Sequence, residues 1–467
     1  MPRPERFGSR QFQGLRPTAA AALLLTAALA LTSLAGCGSK VDKPFQGQLR
    51  VWAAAPPGTS DAGGNLPQGD PAQGPLKPLY DAARAYERRH PGVRVSLQPM
   101  SWPELNAQLE QALSGPDWAD QVPDVAMISA QARPNPAWLA KGALEDVSSV
   151  LSQETTQDTW PFALDAFRDG TGLYGVPAWT TVQALYLNLS LFAERGVQPP
   201  ASGRWTYDEF TRDVQRLTYS RGDGTQIAGL GVPLKAGSYE LWPFLFGDGV
   251  RPLSPDGRAY TLDQGAGPTA VQRLLSWRQA GSPWVGTDQV PELFRSFATP
   301  GRQNVAITAW DSWALDELER SPALKDSPLK LGLAAYPAGA AGEATIGRAG
   351  GLVVFKESSQ GRRAAALDLA AQLADASTQT ALARLGTLPA RVSVAKENPF
   401  TDPLRTRLAG LLPEAELPPG GPAWTRAEPA LVGELAAALE GRKPLAQALT
   451  DARKQLDPIF TTATTAP

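Results

Sequence analysis

An α/β fold spread over at least two substantial domains is predicted by three features of this chain. Its 467 residues exceed what one ordinary core accommodates, at the usual ~100–200 residues per domain. Its composition, 43% hydrophobic and 19% charged, is near the globular average, which fits neither wholesale disorder nor a multi-span membrane protein. Apolar runs of strand length alternate with stretches of helical spacing, and that alternation predicts βαβ units and a mainly parallel sheet.

The elements follow in order. Arg3, Arg6, Arg10 and Arg16 form a positive segment, and Thr18 to Leu34 is an uncharged run rich in Ala and Leu; together they read as an export signal and not as a domain. The run is marginal for spanning a ~30 Å hydrocarbon core. It leads into Leu34-Ala35-Gly36-Cys37, which resembles a bacterial lipoprotein box. That resemblance implies cleavage before Cys37, alkylation of its thiol by diacylglycerol, and a polar tether starting at Gly38-Ser39-Lys40. Residues 1–36 are thus expected to be a signal peptide and 37–47 a lipidated tether. Acyl chains contribute ~0.8 kcal/mol per buried CH₂, enough for a two- or three-chain anchor to hold a soluble body at a membrane surface.

Gln48 to Ala53 reads as a buried strand, and Leu79, Ala82, Ala83 and Tyr86 give Leu76 to Arg89 helical spacing across a Gly/Pro-rich loop. Val93 to Leu97 is the next strand, Trp102 to Leu113 a helix, and Val122 to Ile128 a short buried strand. The alternation resumes after Gly170, with Ala184 to Asn188 extended, Tyr207 to Leu217 helical and Val305 to Ala309 extended. Helices are predicted over Gly361 to Ala374, Thr378 to Leu385, Pro429 to Leu439 and Leu445 to Leu456. No repeat of 20–50 residues is apparent. Pro199 to Gly203, Pro252 to Gly257 and Pro418 to Pro422 read as surface turns.

Charge and rare residues narrow the function. A net charge of −2 offers no global attraction for nucleic acid. One His and one Cys in the whole chain argue against His/Cys metal sites, Cys–His nucleophiles, Ser-His-Asp triads and disulfides. Thirteen Trp is a high count, and Trp combines a flat apolar face with a polar edge suited both to cores and to ligands.

Several short segments recur in a fixed order: Pro123-Asp124-Val125; Trp138 to Asp146; Tyr174-Gly175-Val176-Pro177; Leu185-Tyr186-Leu187-Asn188; Trp205 to Phe210; Ala309-Trp310-Asp311-Ser312-Trp313; Gly350-Gly351-Leu352-Val353-Val354; and Gly386 to Ala390. In order and spacing, from Leu49 to about Pro389, the chain resembles the extracellular solute-binding proteins of bacterial ABC transporters, especially the class that takes sugars. The resemblance implies a two-lobe periplasmic-binding-protein fold with a hinge and an interlobe ligand cleft. The expected division is 48–182 plus 350–388 for the first lobe and 183–349 plus 389–460 for the second, with crossings near Thr180 to Ala184, Arg348 to Gly351 and Gly386 to Pro389. Cleft loops at the carboxyl ends of strands, closed over a ligand, strengthen each hydrogen bond by excluding water.

The resemblance also nominates ligand-binding residues. Trp179, after Gly175-Val176-Pro177-Ala178, is placed to stack on a sugar face or to pack the core. Tyr239 and Trp242 are preferred over Glu240 as second-lobe contacts. Trp310, Asp311 and Trp313 open a helix, where Asp311 or Ser312 also serves as an N-cap candidate. Gly350 and Gly351 read as a hinge or a close-approach element, and Arg391 as a contact or an exposed cation. The first strand departs from the pattern: Trp52 is followed by Ala53-Ala54-Ala55-Pro56-Pro57 and a Gly/Pro-rich insertion, so no first-lobe contact carries over.

Other signals yield less. Gly170 to Gly175 matches G-x-G-x-x-G but leads into Val176-Pro177 and no helix, failing the dinucleotide context. His90 before Pro91-Gly92 reads as a helix end. The function expected is a lipid-anchored, monomeric binding component of an importer on the extracytoplasmic face, needing no cofactor or metal, with a carbohydrate ligand and permease subunits as partners and no nucleic acid. Alternatives are a secreted lipoprotein glycosidase, whose two carboxylates spacing cannot reveal, and a ligand-binding component of a sensor system.

Overall fold

The structure, a computed structural model, describes residues 44–57, 70, 72–130, 135–320, 329–356, 359–400 and 402–465. The expected signal peptide and Cys37 lie outside the described residues, as does part of the Gly/Pro-rich insertion. From Phe45 onward the chain forms one compact unit.

The strands are β1 (Gly47–Ala54), β2 (Val93–Met100), β3 (Val125–Ala130), β4 (Val176–Asn188), β5 (Tyr219–Ser220), β6 (Gln226–Pro233), β7 (Val285–Thr287), β8 (Val305–Asp311), β9 (Leu331–Ala334), β10 (Thr345–Val354), β11 (Leu388–Pro389) and β12 (Ala415–Glu416). Among the described residues they form one twelve-stranded sheet ordered β2-β1-β3-β10-β4-β8-β6-β5, with β9 and β11 on β4, β12 on β10 and β7 on β6. The flanks are parallel, as β1 with β2 and β3, and β6 with β7 and β8. The middle is antiparallel, because β10 runs against both β3 and β4, and β4 against β8 and β9. The edge strand β5 is antiparallel to β6 and β12 is parallel to β10, so the sheet is mixed, and the expectation of a mainly parallel sheet holds for the β2-β1-β3 and β7-β6-β8 runs and not for the whole.

Two strands join the halves. The first part of β4, to Val182, pairs with β10, and its last part, from Gln183, pairs with β8 and β9. All thirteen residues of β4 are buried. Its polar members Thr180, Thr181, Gln183 and Asn188 break the apolar run that marks a central strand, which is why only its end, Ala184 to Asn188, was legible as extended. Two apolar clusters form the core, and the first extends past the crossing to Val305, Trp310 and Leu315. Leu49, Val51, Leu79, Val125, Leu352 and Leu369 belong to the first, and Leu185, Phe210, Leu230, Ile307, Trp277 and Leu431 to the second. This is a two-lobe α/β architecture.

The principal helices are α1 (Lys77–Arg89), α2 (Trp102–Ser114), α3 (Tyr207–Arg216), α4 (Pro243–Phe246), α5 (Gly267–Gln279), α6 (Trp313–Arg320), α7 (Gln360–Leu373), α8 (Ala376–Ala383), α9 (Pro403–Ala409), α10 (Pro422–Leu439) and α11 (Leu445–Thr465). Capping boxes start two of them: Ser101 with Glu104 on α2 and Thr206 with Glu209 on α3, each satisfying two orphan backbone donors. α10 begins seven residues before the predicted start, Pro429. That proline is exposed within the helix, so the carbonyl it frees is open to water and the helix continues. The sequence reading assigns residues from 389 to the second lobe. Ala390 instead packs in the first cluster, and the segment after it is tied to Asp158, with Val392 N–H donating to its carbonyl at 2.7 Å and Ser393 N–H to its carboxylate at 2.8 Å; Leu408 and Ala409 follow on α9, whose Arg405 pairs with Asp316 of α6. The second cluster resumes at Trp424.

Gly350 and Gly351 are a close-approach element. A bulge separates them, with Gly350 opposite Trp179 and Gly351 opposite Pro177. A Cβ on Gly350 would lie 1.9 Å from Trp179 Cζ2, and one on Gly351 would lie 2.1 Å from the Val176 carbonyl oxygen. Gly350→Ala is expected to destabilise the fold by about 1–3 kcal/mol through overpacking. Gly433→Ala, in exposed helix with open space around it, is expected to stabilise by about 0.5–1 kcal/mol. Denaturant unfolding of the two variants checks the contrast, and equal small effects would contradict the crowding at Gly350.

Candidate functional site

Side chains alternate across a strand, so one face of β4 carries Trp179, Thr181 and Gln183. Opposite them stand Gly350, Arg348 and, on β8, Asp311. This track runs from the first half of the molecule to the second. Thr181 Oγ1 donates to Asp311 Oδ2 at 2.9 Å, and Arg348 Nη2 donates to the same oxygen at 2.7 Å. The other oxygen, Oδ1, accepts from Ser312 Oγ and from Trp313 N–H, both at 3.3 Å. The Asp311 side chain is wholly buried, whereas Arg348 keeps 22% of its side chain exposed. Burial alone would depress the Arg348 guanidinium, but the Asp311 charge and hydrogen bond raise it, so it is a permanent cation.

The second-half end of the track meets a loop and a helix. With its amide oriented to satisfy both neighbours, Gln183 donates to the Tyr239 carbonyl at 3.0 Å and accepts from Glu240 N–H at 3.2 Å. This pins the loop whose turn is made by Gly237 at φ +80°, a conformation that favours glycine. Trp242 follows and meets Trp424 of α10 edge to face at 6.0 Å. Trp424 and Glu428 lie one turn apart on the same face of α10, and both are buried.

The electrostatics here are unusual. Burial pushes the Glu240 carboxyl up to about 7, against the pull of Arg348. Burial likewise pushes Glu428 up to about 6. The Tyr239 phenol is raised to about 12, by burial first and by the Glu428 charge second. Glu240 Oε2, Glu428 Oε1, Trp242 Nε1 and Trp179 Nε1 are all buried without a hydrogen-bond partner. Orphaned polar atoms of this kind each cost ~1–3 kcal/mol; Glu240, Trp242 and Glu428 belong to the second-half loop and α10, whereas Trp179 packs in the first cluster edge to face with Trp102 at 5.9 Å.

The nominated residues divide. Asp311, Tyr239 and Trp242 come together through Arg348, Gln183 and α10, with Trp179 and Gly350 on the same track. Trp313 is half-buried beside Asp311. Trp310 faces away, as alternation along β8 requires, and packs among Tyr186, Phe294 and Phe297 at 5.1 to 5.7 Å. Arg391 lies elsewhere, with its guanidinium 3.5 Å from Asp158 and 3.4 Å from Thr155. Arg348, Trp424 and Glu428 were not nominated, and Glu240 was ranked below Tyr239 and Trp242. Arg348 was detectable as the one charge in the strand run Thr345 to Val354. Glu428, inside an Ala-rich segment, gave no such signal. Among the described residues no three or more His, Cys, Asp or Glu converge as metal ligands, and no helix is long and apolar enough to cross a membrane.

A two-lobe α/β fold with a polar, aromatic-edged track on its crossing strands defines a ligand-binding class of protein. Residues 81–406 match the family described as bacterial extracellular solute-binding protein, and the chain belongs to that family. It is 22% identical over 292 residues to proteins of Brucella abortus strain 2308 and Brucella suis biovar 1 designated as binding proteins. The match takes in 60% of this chain, and the chain spans 64% of the length of these curated relatives. The fold is similar to that of the cyclic α-maltosyl-1,6-maltose binding protein of Arthrobacter globiformis (TM-score 0.69, 20% identity, 90% of this chain and 100% of that one). It is also similar to the sugar-binding protein MalE of Xanthomonas citri (TM-score 0.68, 20% identity, 90% and 98%) and to the GacH receptor of Streptomyces glaucescens, solved alone and with acarbose (TM-score 0.64, 20% identity, 89% and 99%).

Two outcomes are expected. A carboxyl raised in the folded state holds a proton that the unfolded chain releases, so Glu240 destabilises the empty protein progressively as pH rises from 4.5 to about 7, by roughly 3 kcal/mol at the plateau. Glu240→Gln is expected to flatten that part of the stability–pH curve of ligand-free protein, and an unchanged curve would contradict the assignment. Asp311→Ala strands the Arg348 charge and is expected to cost about 3 kcal/mol in denaturant unfolding; a loss below about 1 kcal/mol would contradict a buried pair.

Proposed function

We propose that this protein is the lipid-anchored substrate-binding component of an ABC importer that captures a mono- or oligosaccharide by closing its lobes, without chemistry on the ligand. The observation that carries this reading is the mixture of unpaired groups: carboxyl oxygens on Glu240 and Glu428 need donors, and indole N–H groups on Trp242 and Trp179 need acceptors. A polyamine would serve only the first set and an anion only the second. A hydroxyl does both, and the aromatic faces support the C–H face of a pyranose. The sugar ligands named for the structural relatives agree with this chemistry.

In this mechanism the open protein meets its ligand through the second-lobe groups Tyr239, Glu240, Trp242, Trp424 and Glu428, and the first lobe closes over it through Trp179. The lobes divide at 182/183 and 349/350, on the two crossing strands. Arg348 and Asp311, paired beforehand, need no rearrangement to present a fixed charge pattern, which lowers the cost of binding. Cys37 carries the anchor at the extracytoplasmic face, and permease subunits receive the closed form.

Calorimetric titration of mono- and oligosaccharides, polyols, glycerol phosphates and polyamines tests the proposal. One-to-one saccharide binding with the ligand recovered intact is expected, weakened at least tenfold by Trp242→Ala. Binding only of polyamines or phosphates would overturn the sugar reading, and consumption of the saccharide would establish an enzyme instead.

A further inference from the structure

A depression runs along β6 and β7 in the second half of the molecule. It has a volume of about 560 Å³ and is lined by Gln226, Arg278, Trp284, Thr287 and Asn304, with small residues between them. Asn304 immediately precedes β8, whose other end is Asp311. At ~3.3 Å per residue, the strand puts roughly 20 Å between Asn304 and Asp311, and the depression extends along β6 from Gln226 toward Thr287, which pairs with Pro233 at the other end of that strand.

Gln226 and Thr287 are engaged by Ser220, Gly224 and Gln289, which leaves Arg278 and Asn304 as the polar groups with unused capacity. Arg278 donates through Nη1 to the carbonyls of Pro283 (2.5 Å) and Val285 (2.6 Å). This holds the turn that carries Trp284. The guanidinium has no carboxylate within ion-pair distance among the described residues, and no acidic side chain lines the depression. The buried Oδ1 of Asn304 has no hydrogen-bond partner. Trp284 is part-exposed at the rim. A cation without a counter-charge asks for an anion, an orphaned amide oxygen asks for a hydroxyl donor, and an indole beside them offers an apolar face. One molecule that supplies all three is a sugar bearing a carboxylate.

We propose that this polar depression is a second carbohydrate site, selective for a uronic-acid residue, independent of the interlobe site. The carboxylate pairs with the outward part of the Arg278 guanidinium, a ring hydroxyl donates to Asn304 Oδ1, and the ring's C–H face rests on Trp284. A protein held at a cell surface would thereby touch acidic polysaccharide while its cleft remains free for cargo.

The test uses the full chain and titrates D-glucuronate and D-galacturonate against D-glucose, sodium acetate and inorganic phosphate, with binding read from the chemical shift of the Trp284 indole, assigned by its loss in Trp284→Phe. Saturable uronate binding is expected at least tenfold tighter than that of glucose, acetate or phosphate, lost in Asn304→Ala and Arg278→Gln and retained in Trp242→Ala. Should Arg278→Gln fail to fold, Asn304→Ala carries the test by the same readout, and Trp284→Ala carries it by calorimetric titration of the uronates. Absence of uronate binding, equal binding of acetate or phosphate, or loss of uronate binding in Trp242→Ala would each overturn the proposal. Because Trp242 does not line this depression, and saccharide and uronate binding are titrated separately, failure of the saccharide reading and failure of this one remain distinguishable.

Discussion

The pairing of β4 with β10 is the constraint on which the rest depends. These two antiparallel strands are the members shared by the two halves, and their contact is close because Gly350 and Gly351 leave room for Trp179 and for the Val176 backbone. With that spacing set, Arg348 falls opposite Thr181 and reaches Asp311 on the next strand. A side chain at either glycine would force the strands apart, and the Arg348–Asp311 contact would be the first polar interaction to lengthen.

From this pairing the chemistry follows by alternation. One face of β4 presents Trp179, Thr181 and Gln183 toward the polar track. The other presents Thr180, which donates to the Pro389 carbonyl at 3.2 Å and so ties β11 to the crossing. The polar residues that obscured β4 as a strand are those that give it two functions: hydrogen-bonding the crossings together and building the site. The unpaired oxygens of Glu240 and Glu428 are a cost held in the empty protein, and under the proposed function a hydroxyl-rich ligand would offset it by supplying the missing donors.

Much of this was legible from residue order. The flanking strands and most helices were placed within a few residues, because β1, β2 and α1 have clean apolar periodicity and α2 and α3 carry capping pairs. The segments Gly350-Gly351 and Trp310-Asp311-Ser312-Trp313 lie on β10 and at the end of β8, the strands that carry Arg348 and Asp311. What could not be read depends on three dimensions. Trp310 and Asp311 are neighbours in sequence but face opposite sides of the sheet, so one packs the core and the other meets Arg348. Glu428 becomes remarkable only once α10 is seen to begin at Pro422 and to set it beside the Gly237 to Trp242 loop. Arg391, next to a crossing in sequence, is drawn to Asp158 instead.

The central claim is that the track and the Gly237 to Trp242 loop form the saccharide site. A crystal structure of the protein with a saccharide that binds it tests this most directly. The account predicts ligand hydroxyls within hydrogen-bonding distance of Glu240 Oε2 and Glu428 Oε1, with a sugar ring against Trp242 or Trp424. A saccharide bound elsewhere, with those two oxygens still unpartnered, would contradict it.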